Sequence, residues 1–145
     1  MKHRPALTLV ELVLTISIIA IISATGIYLS AGARQKYALK LSTDNLVSEL
    51  QRVHIFAREN KEEKSWGIRI VDGKNYLMVS REPAGETIKY QFSLAEPVRF
   101  STDPMEIWFD QVTGNTENNI SLGLISPRGD VKTINISQYG LITSQ

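Results

Sequence analysis

Cysteine is absent from the 145 residues, which excludes disulfides, zinc–thiolate sites and thiol catalysis. Histidine is scarce. Only His3 and His54 occur, too few for a histidine-built metal site. Charge of one sign is lacking too, since 16 Lys and Arg face 15 Asp and Glu for a net charge of +1. That balance argues against a basic nucleic-acid-coating protein, a disordered acidic tail or a strong pull on any polyanion. The length suits one domain plus something extra and falls short of two ordinary domains. Hydrophobic residues reach 43%, an ordinary figure, but their placement is uneven. Positions 12–33 form 22 consecutive residues without a charge, and every charge lies outside them. The average therefore conceals a membrane-grade segment joined to a polar domain.

The first six residues, Met-Lys-His-Arg-Pro-Ala, are basic, and an apolar run interrupted once by Glu11 follows from Leu7 to Ala33. As a helix, positions 12–33 would be roughly 33 Å long, against a hydrocarbon core of roughly 30 Å. Six Ile, three Leu and one Val occupy that stretch. They favour insertion by roughly 3–6 kcal/mol, against a mid-membrane cost of about 2.5–3.5 kcal/mol for an acid, which is smaller near an end where Glu11 sits. Insertion is expected, with Lys2 and Arg4 holding the N-terminus in the cytoplasm. One reading is a single-pass anchor that leaves an extracytoplasmic β domain on the membrane. Another is a secretory signal cut after Ala33, because Ala31-Gly32-Ala33 has the A-x-A form. The uncharged run exceeds the usual signal h-region, and neither reading explains Glu11.

Glu11 gains a reason from its context. The string Ala6-Leu7-Thr8-Leu9-Val10-Glu11-Leu12 resembles the class III signal of type IV pilins and type II secretion pseudopilins. In that family a basic leader ends in a small residue, cleavage retains the apolar helix, and the fifth mature residue is Glu. The resemblance implies cleavage by a prepilin peptidase between Ala6 and Leu7, N-methylation of Leu7, and an assembly role for Glu11. Ala6 stands where Gly is usual, and Leu7 where Phe is usual. An ionised carboxylate in hydrocarbon is costly unless paired. The family's accepted arrangement pairs it with the new N-terminal amine of a neighbouring subunit, here that of Leu7. A Glu11 that merely reached the headgroups would leave assembly intact in Glu11→Ala. The implied partners are other pilin or pseudopilin subunits, the peptidase, an inner-membrane assembly platform, and membrane lipid before assembly. The implied location is the bacterial inner membrane, N-terminus inside, with the globular part extracytoplasmic.

Beyond Arg34, Leu39, Leu46, Leu50, Val53 and Ala57 fall at steps of 7, 4, 3 and 4, one apolar stripe on a helix. One helix is predicted from about Thr8 to about Asn60, with Gly26 as its weakest point and Lys61-Glu62-Glu63-Lys64 as a solvated turn. The period then switches to two. Strands are predicted near Trp66–Val71, Tyr76–Arg81, Thr87–Leu94, Val98–Ser101, Glu106–Asp110, Ile120–Ile125, Val131–Ser137 and Leu141–Thr143. Asp72-Gly73 reads as a primed two-residue hairpin turn, and Pro83-Ala84-Gly85 and Pro127-Arg128-Gly129-Asp130 read as further turns. The β region is small for an independent core, so the helix stripe is expected to supply the missing apolar face of one sheet or two. The fold class is α+β and pilin-like. Its parts are a leader over 1–6, an assembly segment over 7–33, an amphipathic helix over 34–63 and a β domain over 64–145. Leu46-x3-Leu50, Ala57-Arg58, Trp66-Gly67 and Ile134-x-Ile136-Ser137-x2-Gly140-x-Ile142 are similar to the H-type minor pseudopilins and FimT-type minor pilins. That implies a filament subunit serving type II secretion or a type IV pilus.

No catalytic constellation is present, and no enzyme activity or cofactor is expected. His54 lies between Val53 and Ile55 on the helix and reads as a solvated or satisfied histidine. Asp110, Asn115 and Glu117 crowd one loop without EF-hand spacing and read as a polar loop. Arg128-Gly129-Asp130 is turn chemistry before it is an adhesion tripeptide. Asn119-Ile120-Ser121 and Asn135-Ile136-Ser137 fit the glycosylation sequon within strands. Some FimT-type pilins take up DNA through a Gly-Arg-x-Arg segment. Here the corresponding stretch is Gly140-Leu141-Ile142-Thr143, and no basic residue follows Lys132, so DNA is not an expected partner.

Overall fold

A computed structural model describes the backbone of residues 8–145, and the side chains of residues 8–23 and 32–145. The leader and the Ala6–Leu7 cleavage and methylation positions lie outside the described residues, as do the side chains around Gly26. One helix, α1 (Leu9–Arg58), is followed by a short 3-10 turn (Lys61–Glu63) and eight strands. The chain divides into two compact units, one up to Arg34 and one from Gln35. Among the described residues no helix is long and apolar enough to cross a membrane. The segment expected to do so, 7–33, is described only in part, because Leu7 and the side chains of 24–31 fall outside.

Asn60 ends the helix in the left-handed conformation, φ 51° and ψ 39°. Glu62 and Glu63 are left-handed as well, at φ 59° and 54°. Such backbone is costly for residues with a side chain and persists only where the surroundings hold it. Here Lys64 pairs with Glu62 and Glu82, each at 2.8 Å, and the Trp66 indole N–H donates to the Lys61 carbonyl at 3.0 Å. The predicted solvated turn is thus a tied-down one.

The strands are β1 (Ser65–Ile70), β2 (Asn75–Glu82), β3 (Gly85–Ser93), β4 (Arg99–Phe100), β5 (Glu106–Phe109), β6 (Ile120–Ile125), β7 (Val131–Ile136) and β8 (Ile142–Ser144). They form two antiparallel four-stranded sheets, ordered β3-β2-β1-β5 and β4-β6-β7-β8. The β1–β2 hairpin departs from expectation. Gly73 is not left-handed, so no primed turn forms. Instead the Asp72 carboxylate accepts the main-chain N–H groups of Lys74 and Asn75, each at 2.7 Å. An Asx turn of this kind supplies the reversal without a positive φ. The second hairpin is tight, with Glu82 opposite Gly85.

Leu39, Leu46, Leu50, Val53 and Ala57 are all buried, as the stripe predicts. They join Trp66, Ile68 and Ile70 of β1, Ile107 and Phe109 of β5, Leu122 and Leu124 of β6, and Ile134 and Ile136 of β7 in one core. The helix face therefore closes a core that neither sheet closes alone, which is the α+β solution for a small sheet region. Buried Ser42 is satisfied by accepting the Ala95 N–H at 3.0 Å.

Candidate functional site

The first turn of α1 carries the residue singled out by its isolation, Glu11. The Glu11 main-chain N–H donates to the Thr8 side-chain oxygen at 3.3 Å, and the Leu12 N–H donates to the Thr8 carbonyl at 3.1 Å. Thr8 is thus the helix cap and Glu11 the third residue inside. Thr-x-x-Glu is half of a capping box, a signal present in the sequence beside the one discussed above. An acid in the first turn also complements the helix dipole, worth about 0.3–1 kcal/mol when exposed. Glu11 therefore has a local use at the head of the helix, whatever else it does.

Around it the helix is apolar on every side. Leu9, Val10, Leu12, Val13, Leu14, Ile16, Ile18, Ile19, Ile21 and Ile22 are all exposed. Leu9, Val13, Ser17 and Ile21 line a shallow groove of about 490 Å³ that is almost wholly hydrocarbon. A helix hydrophobic all round is a helix designed to be covered, by protein or by lipid. Burying such side chains is worth about 1.5–3 kcal/mol each, so their exposure in an isolated chain is far from neutral.

His54 is half-buried, and its two ring nitrogens do not share one environment. Its Nε2 is buried and has no hydrogen-bond partner. Two left-handed glycines crowd it, Gly114 (φ +71°) and Gly140 (φ +76°). A Cβ on Gly114 would lie 2.6 Å from Nε2, and one on Gly140 only 2.4 Å away. The loops holding these glycines dock on the helix end, where the Val112 N–H donates to the Ala57 carbonyl at 2.9 Å. Burial first, and then the Arg58 cation, hold the His54 pKa below its ordinary value. The imidazole thus packs against the two glycine backbones and the Phe109 ring, 5.5 Å away centre to centre, and no hydroxyl or carboxylate meets its Nε2.

The other singled-out residues stay apart. The Asp110 N–H donates to the Asn115 carbonyl at 2.8 Å and the Gly114 N–H returns to Asp110, which makes a closed turn. Among the described residues no group of three or more His, Asp or Glu is placed to hold a metal ion. Gly129 is left-handed at φ +86°, and its N–H donates to Ser126, so Arg128-Gly129-Asp130 does occupy a turn. The Asn119 side-chain oxygen accepts the Gln138 N–H at 2.8 Å, which ties the first sequon to the β7–β8 connection. Ser121 of that sequon lies directly across from Asn135 of the second.

On the outer face of the first sheet, sequence reasoning missed a built cluster. Gly67 of β1 pairs with Trp108 of β5, and the indole lies across the glycine so closely that a Cβ would sit 2.8 Å from it. The Arg81 guanidinium stacks 4.0 Å from the indole centre. Glu106 accepts from the Trp108 indole N–H at 2.9 Å and from Arg69 at 2.6 Å, contacts that hold its carboxyl below the usual range. Trp66-Gly67 gave the only sequence hint, since a strand glycine invites a neighbouring ring to lie over it.

No family model, no curated protein and no solved structure matches this chain.

Proposed function

We propose that this chain is a minor pilin or pseudopilin, a filament subunit of a type IV pilus or a type II secretion pseudopilus. It is made with a six-residue leader and held in the bacterial inner membrane with its N-terminus inside. A prepilin peptidase cuts it after Ala6, Leu7 is N-methylated, and the subunit is assembled into a filament with others of its kind. The observation that carries this reading is the contrast within α1. Its first turns are apolar all round and bear one carboxylate, Glu11, whereas its later turns close the core of a small two-sheet domain. An all-round apolar helix needs a cover, and a lone acid at its start needs a cation. Neighbouring helices, each ending in a Leu7 amine, supply both at once, and lipid covers the same surface beforehand. The mechanism is assembly, without turnover of substrate.

The division after Arg34 favours a second reading, release of residues 34–145 by signal peptidase after Ala33. The mature N-terminus separates the two. Intact mass and peptide sequencing, from cells with an active prepilin peptidase, should give a chain beginning at methylated Leu7. A chain beginning at Arg34, or an uncut Met1 beside a correctly processed control prepilin, would overturn the filament reading.

A further inference from the structure

Two sheets of four strands have four edges, and three of them are guarded. β4 has two residues and β8 three, too short to template much pairing. β3 is longer, but Lys89 forms an extra residue where its register with Met78 and Val79 shifts. β5, at four residues, is longer than β4 and β8 and has a single charge, Glu106 at its start. Its sequence is Glu-Ile-Trp-Phe, without Lys, Pro or a bulge.

The direction of its free groups follows from the ladder. The Ile70 N–H donates to the Met105 carbonyl at 2.8 Å. Antiparallel alternation then turns the main-chain groups of Ile107 and Phe109 toward β1, and those of Glu106 and Trp108 away from the sheet. On β6 the Gly123 carbonyl accepts the Ser101 N–H at 2.9 Å. Ser121, two residues earlier, turns its main-chain groups to that same side, where β4 pairs only with Leu124 and Ile125.

Both free edges border one cleft of about 390 Å³, lined by Met105, Glu106 and Trp108 from one side and by Glu117, Asn119 and Ser121 from the other. Trp108 and Glu106 are already fixed there by Gly67, Arg81 and Arg69. No Lys or Arg lines the cleft, and the Glu117 carboxylate has no partner among the described residues.

We infer that this cleft is a docking slot for an extended, lysine-bearing segment of another protein, bound as an added strand between β5 and β6. Its main chain pairs with Glu106 and Trp108 on one side and Ser121 on the other, its apolar side chains meet Met105 and the indole, and its cations meet Glu117. Main-chain pairing supplies affinity, and the alternate side chains supply specificity. The inference is independent of how the N-terminal helix is used.

The test uses the full chain, ¹⁵N-labelled in detergent, and the capped peptide Ac-Val-Lys-Val-Lys-Val-Lys-NH2. Saturable shifts are expected at the Glu106, Trp108 and Ser121 amides. N-methylating the three valines keeps charge and side chains but removes alternate donors, and should weaken binding by at least about tenfold. Glu117→Lys, on an exposed loop, should weaken it several-fold with the rest of the spectrum unchanged. Three results would overturn the inference: no shift at millimolar peptide, equal binding of the N-methylated peptide, or those amides already protected from exchange in the peptide-free chain. Protection of that kind would mean that the chain or a second copy fills the slot.

Discussion

The two halves of α1 hold similar apolar residues and treat them oppositely. From Leu9 to Ile22 the large apolar side chains are 48–79% exposed, whereas Leu46, Leu50, Val53 and Ala57 are 0% exposed. The difference is one of arrangement. In the later turns apolar residues recur at helical spacing, with charges between, so one stripe meets a core. In the early turns apolar residues stand on all faces, which no single core covers. Secondary structure is therefore the same in both halves, and what covers each half differs. One joins the core of the β domain, and the other stands exposed over its described residues.

The sharpest way to break that comparison is to truncate one residue in each half. Leu50→Ala should lower the unfolding free energy by about 2–5 kcal/mol in a denaturant titration, because the side chain is wholly enclosed. Ile18→Ala should move the same transition far less, since that side chain stands 48% exposed. Equal losses would show that the early turns are buried against the domain.

Next in size are the glycines that seal the helix end. Gly140→Ala adds a methyl group 2.4 Å from His54 Nε2 and 2.5 Å from the Gly114 carbonyl, at a left-handed φ. A cost of about 2–4 kcal/mol is expected from strain and overpacking together. Gly129→Ala is also left-handed but has nothing within 4 Å, so backbone strain alone should cost it about 1–2 kcal/mol. Thermal unfolding of both variants compares them, and equal shifts would remove the role given to the His54 contact.

The smallest effect is on pH dependence. The folded-state pKa of His54 lies below the ordinary 6.5, so the imidazole is neutral in both states well above that pH and contributes nothing there. As pH falls below about 6.5 the unfolded chain takes up a proton that the folded chain resists, and stability declines. His54→Gln should flatten this part of the stability–pH curve while leaving its other acid-side features. An unchanged slope would show that the imidazole accepts its proton freely in the fold.

Much of this was legible because it is local. The stripe from Leu39 to Ala57 announces itself by period, and the alternation after Lys64 marks each strand to within a few residues. The Thr8–Glu11 cap is a signal of the same local kind, which the reading of Glu11 as an isolated acid passed over. The Asp72-Gly73 turn was legible as a turn but not as a type, since Asp72 accepts from the chain ahead of it and frees Gly73 from a positive φ. The surroundings of His54 were not legible, because Gly114 and Gly140 are remote in sequence and bring only backbone, which leaves no complementary side chain to notice. The Arg69–Glu106 pair spans 37 positions, and nothing in either strand names the other.

The sequence by itself determined that there is one helix of two characters, seven or eight short strands, no thiol chemistry and a single acid at the head of an apolar run. Those are properties of neighbours along the chain, set by side-chain period, capping and composition. Only the tertiary structure decided that the strands split into two sheets, that β5 leaves the second hairpin's sheet with an open edge, and that Ser121 faces the same gap. Sheet order and edges depend on which distant strands bury their apolar faces together, and that is a choice of pairing that alternation alone does not specify.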